Sequence, residues 1–175
     1  LHPHGELWGN ADEQALDASR NGWQILLDSV ELQERLMHKL KKAGHTKLAD
    51  TLNIRQELEH SKHFVFKTNT LVHYDVRGDN CAWNSKTKQV KLVDWNWAQL
   101  GDRRMDLSAT LVNVQRGGLD VLSQHADRLD ADALQWIAGF WLRGAATPIW
   151  EGGSESLRDF QLEAGVTSLE LVSKL

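Results

Sequence analysis

The sequence is poor in the features that mark secreted, membrane and nucleic-acid-binding proteins. Its 175 residues include a single cysteine, Cys81, which cannot form a disulfide within the chain, and this favours a reducing compartment. No apolar run approaches the length of a membrane span, and no signal-peptide pattern opens the chain. Asp and Glu (24) outnumber Lys and Arg (20), so a basic nucleic-acid-binding stripe is not indicated. These absences predict a soluble, cytoplasmic protein that binds neither membrane nor nucleic acid.

The composition is that of an ordinary globular protein, and we predict a single domain over residues 1–175. Hydrophobic residues make up 41% and charged residues 25% of the chain, which is normal for a folded domain. The length is sufficient for a sizeable core. The eight tryptophans are expected to serve mainly in packing, because large aromatic side chains are chiefly buried material.

Oxygen-bearing side chains concentrate in residues 71–106. His73, Asp75 and Asn80 follow a short apolar run at 71–72, and Asp94 follows a second run at 90–93. We predict that these two runs are short strands paired through the polar turn at 85–88. This pairing would bring Asp75, Asn80 and Asp94 to one end of a β-hairpin near residues 80–94. Carboxylate and amide oxygens are hard ligands of the kind that Mg²⁺ prefers while it also holds phosphate oxygens.

The spacing His-x-Asp-x₄-Asn, with an Asp beyond a hairpin, matches the catalytic loop of protein kinases. The sequence resembles the aminoglycoside phosphotransferase and choline kinase family more closely. In that family Trp or Phe follows the metal-binding Asp, and a Gly-Asp-x-x-x-Asp segment comes next. Asp94 with Trp95, and the segment from Gly101 to Asp106, match both features. The resemblance implies an α+β fold that is mainly α, a protein-kinase-like carboxy-terminal lobe whose short β-hairpin carries the catalytic loop.

The resemblance also implies roles for five residues. Asp75 would orient the acceptor hydroxyl or accept its proton, and Asn80 and Asp94 would bind Mg²⁺. His73 and Asp106 would support the catalytic loop through hydrogen bonds. The residues alone leave plainer interpretations open: a turn aspartate for Asp75, an Asx turn for Asn80 and a strand-end cap for Asp94.

Two departures from the family pattern, and two tryptophans, bear on the site. Tyr74 stands where the family commonly has glycine, and we expect it to lie on a strand and point away from Asp75. Asp79 places a further negative charge beside the predicted metal ligands. Trp95 and Trp97 are expected to differ in direction, so that one would pack beneath the site and the other would face nucleotide or substrate; core packing is favoured for both.

The activity implied by the resemblance is ATP-dependent transfer of the γ-phosphate to a hydroxyl of a small molecule. The acceptor would be aminoglycoside-, choline- or sugar-like, and Mg²⁺ and ATP would be required. Glu151, Glu155 and Asp159 either attract a cationic acceptor or form ordinary solvated surface. The alternative, from a different class, is a catalytically silent binding or regulatory module derived from the same lobe.

The glycine-rich loop and strand lysine that cover ATP in such enzymes have no counterpart in the sequence, and Lys91 lies within the hairpin. We therefore expect that the resemblance covers the carboxy-terminal lobe only and that the amino-terminal, ATP-covering lobe is absent from this chain. Residues 1–175 alone would then bind Mg²⁺-ATP weakly and show no useful phosphotransfer. The surface meant for the other lobe could also lead to self-association.

Helical periodicity and capping residues predict the remaining elements. A capping box at Asn10 opens a helix that ends near Gly22, after a linker at 1–9. Asp102 would cap the helix that follows the site, and Pro148 would stop a late helix. The other helices are predicted at 23–42, 47–59, 106–114, 120–129, 132–145 and from 154 onward, with a short strand or extended approach at 63–67 and a turn at 68–70.

Overall fold

The computed structural model describes residues 21–67 and 70–175. The predicted linker, the helix opening at Asn10 and part of the turn at 68–70 lie outside these described residues. The fold is mainly helical with small antiparallel sheets, which confirms the α+β, mainly α prediction. The hairpin predicted near residues 80–94 is present as well.

The helices are α1 (Gly22–Asp28), α2 (Val30–Lys42), α3 (Thr46–Thr51), α4 (Ile54–Ser61), α5 (Arg103–Arg116), α6 (Val121–His125), α7 (Ala131–Ala146) and α8 (Glu155–Val172). The strands are β1 (Thr70–Val72), β2 (Cys81–Asn84), β3 (Gln89–Leu92) and β4 (Gln99–Gly101). Single turns of 3₁₀ helix cover Gly78–Asn80, Trp95–Trp97 and Ala126–Arg128. No helix in the described part of the chain is long and apolar enough to cross a membrane.

Two predicted helices are each divided by an internal cap. Ser29 separates α1 from α2, and its side chain accepts a hydrogen bond from the Leu32 amide. Asn53 separates α3 from α4 and accepts from the Gln56 amide. Apolar spacing continues across both breaks, so periodicity alone predicts one continuous helix at each place. The second break carried a detectable signal, because Asn followed three residues later by Gln is a helix-start pattern.

The strand pairing differs from the prediction in one respect. β1 pairs antiparallel with β4, so Leu71 lies opposite Leu100, and not with the run at 90–93. β2 pairs with β3 through the predicted turn, where the Asn84 side chain accepts from the Lys86 and Thr87 amides. The run at 90–93 pairs with β2 instead, which the short turn at 85–88 places directly beside it.

Residues 63–67, predicted as a short strand or an extended approach, belong to no strand. Side-chain contacts hold this segment instead. Phe64 is buried, and Phe66 packs edge-on against Trp136 at 4.8 Å between ring centroids. The Lys67 amide donates to Asp102 at 2.9 Å. The segment is extended because it bridges the aromatic core and the start of α5.

Trp23 is the largest fully buried side chain and joins α1 to α7. Its indole Nε1 donates to the Gln135 carbonyl at 2.8 Å. This hydrogen bond satisfies a polar atom that would otherwise be buried without a partner. Gly139 allows this close approach, because a Cβ there would lie 2.5 Å from Cδ1 of Trp23. The carboxy-terminal helices are thereby fixed against the helices that precede the site.

Gly139→Ala is expected to lower the free energy of unfolding by about 1–3 kcal/mol, because the added methyl group overpacks the Trp23 contact. Gly78→Ala is the matched control, since a Cβ at Gly78 meets nothing within 4 Å. Urea unfolding followed by tryptophan fluorescence measures both. Equal stabilities for the two variants would contradict the packing role given to Gly139.

Candidate functional site

The loop that follows β1 is held by the first turn of α5. The Asp106 carboxylate accepts hydrogen bonds from the His73 amide at 2.7 Å and from the Tyr74 amide at 2.8 Å. Both carboxylate oxygens are therefore engaged with the backbone of the loop. A charged acceptor on two amides is a strong restraint, so Asp106 fixes where the residues after it can lie.

Asp75 and Asn80, five residues apart, are in direct contact. The Asn80 Nδ2 donates to the Asp75 backbone oxygen and to its Oδ2, both at 2.8 Å. An amide nitrogen has two hydrogens, so these bonds use both and leave Oδ1 as the atom with which Asn80 could coordinate a cation. The Asn80 side chain is buried, whereas Asp75 keeps 18% of its side-chain surface exposed.

Arg77 is a site residue that the sequence motif did not predict. Its Nε lies 2.9 Å from Oδ1 of Asp75, and its Nη2 donates to Oδ2 at 3.2 Å. The Nε contact is an ion pair without the alignment of a hydrogen bond. A signal for this pair was available, because residues i and i+2 of an extended segment point to the same side. Arg77 supplies the positive charge that compensates Asp75.

His73 links the loop to the hairpin. The side chain is fully buried, and its Nδ1 accepts from the Asp75 amide at 3.2 Å. The proton therefore sits on Nε2, which donates to the Val93 carbonyl at 2.9 Å; this tautomer follows from the hydrogen-bond network. The ring also packs against Trp95, with centroids 4.7 Å apart.

Asp94 lies at the same end of the hairpin as Asp75 and Asn80. The Val93 amide donates to the Asn80 backbone oxygen at 2.9 Å, and Cys81 lies opposite Leu92 in the ladder. Asp94 therefore follows directly on the residue bonded to Asn80. It adopts a left-handed backbone conformation with φ 59°, and its carboxylate is exposed and accepts from the Asn96 side chain.

The donor set suits a cation such as Mg²⁺ that is completed by phosphate and water. Asn80 Oδ1 and the Asp94 carboxylate would supply two oxygen ligands, and Mg²⁺ normally takes only one or two from the protein when phosphate is present. Within residues 21–67 and 70–175, no group of three or more His, Cys, Asp or Glu side chains is placed to hold a metal ion by itself. A two-ligand site is thus the one that these residues could form.

The expectation that Tyr74 lies on a strand is wrong. Tyr74 is not on a strand; it has φ 60°, a conformation in which a Cβ is disfavoured and glycine is preferred. Its hydroxyl reaches β4, where a Cβ on Gly101 would lie 2.5 Å from it. Burial, together with the charges of Asp106 and Asp102, raises the pKa of Tyr74 to about 12, so the ring stays neutral.

A narrow, mostly apolar cleft of about 20 Å³ lies beside this loop and opens to solvent. It is lined by Tyr74, Met105, Asp106, Ala109, Trp136, Ile137, Phe140 and Trp141. The carboxylate of Asp106 is already bonded to two amides. The cleft therefore offers aromatic and aliphatic contacts without an uncommitted carboxylate.

The two site tryptophans lie in one 3₁₀ turn and not in an extended chain, and they differ in exposure. Trp95 packs on His73 but remains 42% exposed, and its Nε1 donates to the Leu92 carbonyl at 3.1 Å. Trp97 is half-buried. The preference for core packing is not met by Trp95, which presents part of its ring to solvent beside Asp94.

Asp102 caps α5, as predicted, and also ties three segments together. It accepts from the amides of Arg104 and Lys67 at 3.0 and 2.9 Å, and from the Arg104 guanidinium. Hydrogen bonding by Arg104, above all, holds the pKa of the Asp102 carboxyl down to about 2. Asp102 is 2% exposed, so its charge is stabilised by these partners and not by water.

The depressed pKa of Asp102 predicts a specific loss of stability in acid. A carboxyl whose pKa falls from 3.8 to about 2 on folding stabilises the fold above pH 3.8, by about 2 kcal/mol, and this contribution is lost as the pH falls through 2. Asp102→Asn should therefore be destabilised at pH 7 and approach the parent protein near pH 2. Urea unfolding across this range measures the difference, with the exposed Asp127→Asn as control. A difference independent of pH would contradict the assignment.

The chain matches no known family model, no curated protein and no solved structure.

Proposed function

We propose that this chain is the catalytic lobe of an ATP-dependent small-molecule kinase that resembles the aminoglycoside phosphotransferase and choline kinase family. One observation carries the proposal: Asn80 bonds Asp75 through its side chain and Val93 through its backbone. A candidate base and two candidate metal ligands are thereby joined through hydrogen bonds. Phosphoryl transfer depends on such positioning more than on covalent chemistry by the protein.

In the proposed reaction the acceptor hydroxyl attacks the γ-phosphorus of ATP. The new oxygen–phosphorus bond forms as the bond to the β-phosphate bridging oxygen breaks, and ADP leaves. Asp75 orients the hydroxyl and takes its proton, for which it is partly exposed. Arg77 and Asn80 hold the two Asp75 oxygens in place, and Asp106 fixes the backbone ahead of them.

Mg²⁺ would be held by Asn80 and Asp94 and would neutralise charge on the phosphates. Trp95, exposed beside Asp94, offers a ring against which nucleotide or acceptor could pack. The proposal locates the reaction in the cytoplasm, where ATP is supplied, and a chain with one cysteine suits that reducing compartment. The glycine-rich loop and phosphate-binding lysine would come from an ATP-covering lobe that is not within residues 1–175.

A silent binding module is the second candidate, and one observation favours it: both oxygens of Asp75 are already engaged. A carboxylate so occupied could serve only to shape the loop. The first candidate accounts in addition for the arrangement of Asp94 and Asn80, which loop shape alone does not require.

Formation of ADP by the full-length gene product decides between the two. The assay would use Mg²⁺-ATP with a panel of hydroxyl compounds: neutral sugars, amino alcohols, aminoglycosides and hydroxy acids. A kinase gives acceptor-dependent ADP and a phosphorylated product visible by ³¹P NMR. A silent module gives neither with any acceptor, whether or not it binds the compound.

A further inference from the structure

Two guanidinium groups meet on one aromatic ring beside the candidate site. The Arg77 guanidinium carbon lies 5.7 Å from the centroid of Phe160, and that of Arg116 lies 4.5 Å from the same centroid. Arg77 comes from the catalytic loop, Arg116 from the last turn of α5 and Phe160 from α8. Three separate elements therefore bring two guanidinium groups to one aromatic ring.

Arg116 is not compensated in the way that Arg104 is. Arg104 has Asp102 and Asp130 as ion-pair partners, whereas Arg116 has no carboxylate within 4 Å among the described residues. Partial burial lowers the pKa of the Arg116 guanidinium, and the more distant Glu163 opposes this only in part. Attraction to the end of α5 accounts for one cation there, but not for a second on the same ring.

Two carboxylates of the loop region are already engaged. Both Asp75 oxygens face Arg77 and Asn80, and both Asp106 oxygens accept from amides. Glu155, one of the acidic residues that could attract a cationic acceptor, is paired with Lys39 at 3.0 Å. A cationic acceptor would thus find neither Asp75, Asp106 nor Glu155 free to pair with it.

The aromatic cleft adjoins the same arginines. Trp141 lines the cleft and packs edge-on against Phe160, with centroids 5.7 Å apart. A small molecule at the mouth of the cleft would therefore lie one ring away from Arg116 and beside the Asp75 loop. Arg77 directs Nε and Nη2 to Asp75 and Asp79, which leaves Nη1 for a further acceptor atom.

We propose that Arg77 and Arg116, on the ring of Phe160, bind the anionic group of a hydroxyl-bearing acceptor, a carboxylate or a phosphate. Guanidinium groups are well suited to such oxyanions. The description of the ligand as an acceptor rests on the proposed function; the anion site itself does not. The substrate class is a small hydroxy acid or sugar phosphate and not a polycation.

The test is calorimetric titration of the full-length gene product, without Mg²⁺ or nucleotide. Glycerate and glycerol phosphate are the anionic probes, and glycerol and choline are the matched neutral and cationic compounds. We expect an anionic probe to bind at least about tenfold more tightly than glycerol or choline, since a charge-assisted contact is added. The stronger of the two anions identifies carboxylate or phosphate as the natural group.

Arg116→Gln should weaken that anion about tenfold, Arg116→Lys should weaken it less, and the exposed Arg128→Gln should leave it unchanged. Equal binding of anion and choline by the parent protein would overturn the inference, even if Arg116→Gln does not fold. Anion binding without acceptor-dependent ADP would support the anion site and contradict the proposed kinase activity. ADP formed with choline, in the absence of anion binding, would support the kinase activity and contradict the anion site.

Discussion

Asp75→Asn is expected to lower kcat for phosphotransfer by about 10²–10⁴-fold, the usual contribution of a positioned general base. Asparagine keeps the shape and one acceptor oxygen for Arg77 Nη2 and Asn80, but it loses the charge paired with Arg77 and cannot take the hydroxyl proton. The KM for Mg²⁺-ATP should change little, because Asp75 acts on the nucleophile and the nucleotide is held elsewhere. Steady-state ADP formation by the full-length gene product, at saturating acceptor, measures both constants.

Asp79→Asn is the matched control, since it removes the same charge only four residues further along the chain. The Asp79 side chain is 67% exposed. This variant also tests whether the extra negative charge beside Asn80 contributes to cation binding. A kcat for Asp75→Asn within a few-fold of the control would assign Asp75 to loop structure alone. Thermal unfolding of both variants separates a loss of folded protein from a loss of turnover.

Asp94→Ala is expected to weaken Mg²⁺-nucleotide binding and turnover together. Loss of even an outer-shell partner costs about 10–100-fold in metal affinity, and a direct ligand should cost at least as much. The apparent KM for Mg²⁺-ATP should therefore rise and kcat fall, with partial recovery at high Mg²⁺. Measuring ADP formation over a Mg²⁺ series at fixed ATP gives both effects.

Asp94→Asn distinguishes charge from backbone conformation. Asp94 has φ 59°, which asparagine tolerates better than alanine, so Asn removes the charge with less strain. If Asp94 is a metal ligand, Asn and Ala should both raise the Mg²⁺ requirement, Ala slightly more. If the residue serves only as a left-handed turn, Asn should behave as the parent enzyme and Ala alone should be impaired.

The motif residues were found from sequence because their spacing is local. Asp75 and Asn80 lie within one loop, and five residues are too few to separate them once His73 and Val93 are bonded. Asp94 could be placed because a short polar turn forces β3 back along β2. The roles assigned to these residues remain predictions, because hydrogen bonds and proximity do not report on phosphate chemistry.

Other features depended on contacts between distant segments. The pairing of Leu71 with Leu100 could not be read from apolar runs, since the run at 90–93 has the same character and lies nearer in sequence. The left-handed conformation of Tyr74 was unexpected because it is disfavoured locally; Asp106, 32 residues on, bonds its amide. The internal break at Ser29 was hidden by continuous helical spacing.

The sequence by itself determined the helical character, the hairpin and the grouping of Asp75, Asn80 and Asp94, because period, turn residues and short spacing act over a few residues. Only the tertiary structure decided which strands pair, and which charges face one another. Arg77 and Arg116 meet on Phe160 because α5 and α8 pack beside the loop. Such a meeting depends on the packing of whole elements, and no local pattern encodes it.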